Sequence, residues 1–99
     1  MATLHVLSHS PFADSRLTSC LRLLGSKDAL LLCGDATYAL AQATAPLQAL
    51  ESRVGAFELY ALHEDVQARN LTIPAWVKCV DYPEFVELSI RYDRVNTWL

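Results

Sequence analysis

The chain has 99 residues, 53% of them hydrophobic, and a formal net charge of −3 from 11 acidic and 8 basic residues. That length suits one domain, burying roughly two thirds of the surface its unfolded form exposes. The acidic balance offers no basic footprint for gripping phosphates, which argues against direct nucleic-acid binding, and no apolar run approaches the ~20 residues of a membrane helix.

In chain order, residues 4–7 (Leu4-His5-Val6-Leu7) predict a first strand. Ser8-His9-Ser10-Pro11-Phe12 follows as a loop, because Pro11 holds Ser10 extended. Residues 15–24 predict a helix, since Leu17, Cys20, Leu21 and Leu24 fall at the i, i+3, i+4, i+7 spacing of one face. Asp14 or Ser15 is placed to cap it and Gly25 to end it. Residues 29–33 form a continuous apolar run, the pattern of a strand buried on both faces of a parallel sheet. Asp35 is placed to cap an Ala-rich helix over 36–43, and Pro46 opens a further helix that stops near Gly55. Residues 57–62 predict a third strand, 63–69 a short polar helix closed by Asn70, and 77–81 a fourth strand. Asp81 and Glu84 have capping-box spacing around Pro83, starting a helix that runs to about Tyr92. Residues 95–99 read as a tail with an apolar end.

This alternation predicts one α/β domain over residues 1–99: three layers, a mostly parallel sheet of about four to five strands, helices on both faces. Ligands of such sheets sit beyond the carboxyl ends of the strands. Those ends carry residues 8–12, Gly34-Asp35, His63-Glu64-Asp65 and Asp81-Tyr82. The N-terminus has no basic stretch before an apolar one, so no secretory leader is expected. Three cysteines without a C-x-x-C pair fit a reducing, cytoplasmic setting better than a disulfide framework.

No complete catalytic constellation is present. Cys20, with Arg16 one turn before it, is the candidate for a reactive thiolate. It also shares the face of Leu17, Leu21 and Leu24, where free cysteine packs as a small hydrophobe. Cys33 and Cys79 are expected in the core, and neither starts a C-x5-R phosphate loop. His5 and His9 lack the further ligands a metal needs, so neither metal nor cofactor is expected. His63-Glu64-Asp65 could support acid–base chemistry or simply complement a helix dipole. A small ligand held by His9 and Asp35 is a further reading. Trp98-Leu99 can fold back on its own domain or anchor in a partner's groove.

Leu4-His5 followed by Ser10-Pro11-Phe12 is similar to the opening L-H-x-x-x-x-S-P-aromatic segment of the DsrH/TusB family of sulfur-relay subunits. So are Ala29-Leu30-Leu31-Leu32 with Gly34-Asp35-Ala36, and Leu59-Tyr60-Ala61-Leu62 with Glu64-Asp65, Ala68-Arg69 and Leu71. The last matches are Val80-Asp81-Tyr82, Phe85-Val86-Glu87-Leu88, Val95 and Trp98. Asn70 stands where the family has glycine; both suit the left-handed residue that ends a helix. The resemblance covers nearly the whole chain. It implies a DsrEFH-like fold and a cytoplasmic heterohexamer with DsrE/TusD-type and DsrF/TusC-type sister subunits, passing persulfide sulfur to a DsrC/TusE-type carrier. In one branch the relay ends in 2-thiolation of tRNA wobble uridine; in the other it serves sulfur oxidation. The sulfur-accepting cysteine is carried by the DsrE/TusD-type subunit, and this chain has none over residues 63–69. Ser19-Cys20-Leu21 resembles a segment of the sulfur-oxidation branch, which makes Cys20 a candidate carrier there. His9, Pro11, Phe12 and Trp98 are the interface candidates.

Overall fold

The computed structural model describes residues 2–98. Its strands are β1 (Thr3–Leu7), β2 (Ala29–Leu32), β3 (Glu58–Leu62), β4 (Lys78–Val80) and β5 (Arg94–Trp98). Its α-helices are α1 (Arg16–Leu23), α2 (Ala45–Glu51), α3 (His63–Ala68) and α4 (Tyr82–Arg91), with a 3-10 helix at Gly34–Leu40. The five strands form one sheet in the order β4-β3-β2-β1-β5, and every pairing is parallel.

The apolar run on β2 is fully buried because both sheet faces are covered. Leu30 and Leu32 point to one side, where they meet Leu17, Cys20 and Leu21 of α1, Leu40 of the 3-10 helix, Leu50 of α2 and Val66 of α3. Ala29 and Leu31 point to the other, where α4 brings Leu88 and Phe85 against Leu4, Val6, Tyr60 and Val80. Alternation along the strand thus feeds two separate cores. The chain steps from β1 outward to β4, then returns under α4 to place β5 on the free side of β1. Strand order therefore reverses between β1 and β5.

Several local expectations stand as read. Asp81 caps α4: its Oδ1 accepts the Glu84 N–H at 2.9 Å, and Glu84 Oε1 accepts the Asp81 N–H at 3.2 Å. Pro46 lies in the first turn of α2, and Asn70 ends α3 with φ 53°.

Others are corrected. The segment read as a tail is β5, paired with β1 from Thr3↔Arg94 to Leu7↔Trp98; Leu99 lies outside the described residues. Its first four residues are exposed, so it lacks the apolar face that marks an inner strand. The helix expected over 36–43 is the 3-10 segment, and Asp35 sits inside its first turn rather than at its cap. The Asp35 carboxylate is engaged by Arg69 instead, at 2.8 Å. Helix α1 ends at Leu23, before Gly25, because Leu24 turns extended with ψ 122°. Helix α2 ends well before Gly55, which serves the following turn with φ 89°.

Candidate functional site

The carboxyl ends of β1 and β5 flank the point where strand order reverses, the place a parallel sheet leaves a crevice. The loop after β1 lies there. Ser10 Oγ accepts the Phe12 N–H at 3.2 Å, and Ser10 O accepts the Ala13 N–H at 3.1 Å, which curls the loop around Pro11. His9 is exposed and Pro11 half-buried; Phe12 is 61% exposed. Pro11 and Phe12 rim an apolar groove of about 390 Å³, walled by Leu17 and Leu21 of α1 and Pro46 and Ala49 of α2.

The ends of β2 and β3 are braced by charge. Gly34 adopts φ 53°, and a side chain there would meet the Ser8 carbonyl at 3.3 Å. Its N–H donates to Asp65 Oδ2 at 2.7 Å. Arg69 binds Asp35, reaches Asp65 at 3.8 Å and stacks its guanidinium over Tyr38 at 5.6 Å. Of the His63-Glu64-Asp65 trio, Asp65 is therefore committed to the backbone and to Arg69, while His63 faces solvent. His9 and Asp35 are not joined as a ligand pair; Asp35's partner is Arg69.

The thiols divide by depth. Cys20 is fully buried on the inner face of α1. Burial pushes its thiol up to about 12, with the Asp28 charge adding to the shift and Arg53 opposing it. At neutral pH it is a protonated, enclosed group, whereas a persulfide carrier needs a thiolate that a partner can reach. Arg16, the cation the sequence placed beside it, is paired with Asp14 at the surface. Cys33 is half-buried at the end of β2 and donates to the Leu7 carbonyl at 3.4 Å; burial, then Asp65, push its thiol up. Cys79, expected in the core, is exposed. It sits in the three-residue strand β4, at the edge of the sheet.

One cluster escaped the sequence reading. His5, 5% exposed, accepts the Trp98 indole N–H on Nδ1 at 3.1 Å and faces Asp28 with Nε2 at 3.7 Å. Trp98 thus folds back onto its own domain and packs against the larger core. The only sequence signal was a histidine at an inward position of an apolar strand.

Sheet order, helix placement and strand-end rim define a small three-layer parallel α/β domain. The family described as "DsrH like protein" matches residues 9–95. The chain is 37% identical to Protein TusB of Erwinia tasmaniensis over 97 residues, 96% of this chain and 99% of that one. It is 35% identical to Protein TusB of Escherichia coli (strain K12), with the same shares covered. The ychN protein from E. coli, known from a crystal structure, shares the fold with a TM-score of 0.77. That match covers 99% of this chain and 100% of that one at 19% identity. The chain belongs to the DsrH/TusB family of sulfur-relay proteins.

Proposed function

We propose that this chain is a scaffold subunit of a cytoplasmic sulfur-relay complex, folded as one domain over residues 1–99, that supports 2-thiolation of tRNA wobble uridine. Its partners are DsrE/TusD-type and DsrF/TusC-type sister subunits, each subunit present twice, and a DsrC/TusE-type carrier receives the persulfide sulfur. The observation that carries this reading is the 35–37% identity to proteins named TusB along nearly the whole of both chains. The burial of Cys20 supports a scaffold rather than a sulfur-accepting role, since its side chain is spent on packing against Leu17 and Leu21. The exposed loop of His9, Pro11 and Phe12 is the surface assigned to the sister subunits, with Trp98 holding the neighbouring strand in place.

Co-expression with the two sister subunits is the test, and a single co-eluting complex is the expected result. A chain that stays monomeric beside them sinks the reading. Replacing Phe12→Asp leaves the thermal midpoint unchanged, as expected for an exposed side chain, and weakens co-elution. In cells, loss of the chain lowers 2-thiouridine in digested tRNA, and the Cys20→Ala form restores it. If Cys20→Ala folds but fails to restore thiolation, Cys20 carries sulfur and the scaffold role is wrong.

A further inference from the structure

We propose that His5 is a proton-operated latch on the C-terminal strand: neutral, it holds the end of β5; protonated, it lets go of Trp98. The geometry fixes the neutral form. An indole N–H can only donate, so the Nδ1 atom 3.1 Å from Trp98 Nε1 must present a lone pair. The imidazole hydrogen then lies on Nε2, facing Asp28 Oδ2 at 3.7 Å. Asp28 is itself fixed by the backbone N–H groups of Thr3 and Gly25, each at 2.9 Å.

A proton taken from solvent goes to the Nδ1 lone pair and turns the acceptor into a donor. Two N–H groups then face each other across the β1–β5 seam. On the opposite edge of the ring the new positive charge is drawn to Asp28. One protonation therefore exchanges the Trp98 bond for a stronger tie to Asp28. Asn96, whose amide lies 3.5 Å from Nδ1, can turn its oxygen toward the new N–H; Trp98 has no such form. The other groups around the network do not replace the lost acceptor. Cys20 is a protonated thiol whose shift the Asp28 charge adds to, and the Arg53 guanidinium, which donates to the Leu21 carbonyl, has no acceptor to offer. Arg94 lies on the same face of β5 as Asn96 and can only donate.

Strand β5 is held to β1 by its backbone ladder, and the Trp98 bond matters because it is the side-chain tie at the last rung of that ladder. Residues 94–97 are exposed, and Trp98 alone is drawn toward the core. Releasing the Trp98 side chain loosens the last rung of that ladder, at Leu7 of β1. Protonation of His5 would thus set how firmly that end of β1 is covered.

The test uses the full chain with Trp76→Phe, which leaves Trp98 as the only tryptophan of the two. Emission and acrylamide quenching are followed between about pH 8 and pH 5, where an ordinary imidazole changes charge. Emission is expected to move to longer wavelength and quenching to rise several-fold in one transition, with far-ultraviolet circular dichroism unchanged. His5→Asn places a carbonyl oxygen near the Nδ1 position without a titrating group and should abolish the transition. His9→Gln and His63→Gln should retain it. The proposal is overturned if Trp98 stays sheltered at pH 5, or if the transition survives in a folded His5→Asn chain. Should that variant not fold, imidazole nitrogen NMR of the natural chain decides: an Nδ1–H tautomer at pH 8 rejects the latch.

Discussion

Three thiols in one small domain meet three different environments, and their reactivity should follow depth. Intact-mass analysis after iodoacetamide at mildly alkaline pH should show Cys79 modified first, Cys33 slowly, and Cys20 only after denaturation. Adduct on Cys20 in the folded chain would contradict its burial. Cys20→Ala removes about one methylene's worth of packing and should cost about 1 kcal/mol, lowering the midpoint by roughly 4–8 °C in a domain this size. Asp28 should govern acid stability. Burial acts to raise its carboxyl, but the N–H groups of Gly25 and Thr3, with His5, outweigh that and hold it below its ordinary 3.8. A depressed carboxyl stabilises the fold above the unfolded value of about 3.9, and that stabilisation is lost as pH falls through the lower folded value. Asp28→Asn should therefore melt below the natural chain at neutral pH, with the gap closing under acid. A gap that persists unchanged at pH 2 would show that the charge contributes nothing. Of these groups, only the packing of Cys20 could be read from the sequence, because helical spacing set it beside Leu17 and Leu21. Nothing local linked Asp28 to His5, or His5 to Trp98, since those contacts join distant parts of the chain.

Among the elements, α4 and the end of α3 are specified most tightly by their own residues. The reciprocal bonds of Asp81 and Glu84 satisfy two backbone donors at once, so Asp81→Ala should cost about 1 kcal/mol and lower the thermal midpoint accordingly. Asn70 holds φ 53°, where a Cβ is penalised by roughly 1–2 kcal/mol and asparagine is partly excused by its local hydrogen bonding. Asn70→Gly should be neutral or slightly stabilising and Asn70→Ala destabilising in urea unfolding; the reverse order would mean the turn relaxes out of the left-handed region. Both features were legible because capping chemistry is local. The 3-10 segment was not. Gly34 is tied to Asp65 and Asp35 to Arg69, so side chains of a later helix set the winding of an earlier one. Strand β5 was missed for the opposite reason: its Arg94-Val95-Asn96-Thr97 alternation is real, but its outward exposure at the sheet edge hides it among polar tails.

The sheet order explains why so short a final strand matters to the whole molecule. With β5 in place, β1 is an inner strand and both of its backbone edges are paired. Its inward side chains serve both cores, Leu4 and Val6 with α4, Leu7 with α1 and its neighbours. A chain ending after Asp93 would lose β5 and turn Leu4-His5-Val6-Leu7 into an edge: flat, apolar and free of proline, with His5 its only titratable side chain. Such an edge is a template for pairing with another chain. It would also strip Trp98 from the larger core and leave His5 Nδ1 without its indole donor. The truncated chain should therefore unfold at lower temperature and run as dimers or larger species in size-exclusion chromatography, more so as concentration rises. A monomer with an unchanged, cooperative melt would show that β5 is dispensable and that the two cores close without it. The same reasoning separates the edges: β4, only three residues long and carrying Lys78 paired to Glu58 at 3.0 Å, is blunted by its shortness and charge, whereas β1 depends on being covered.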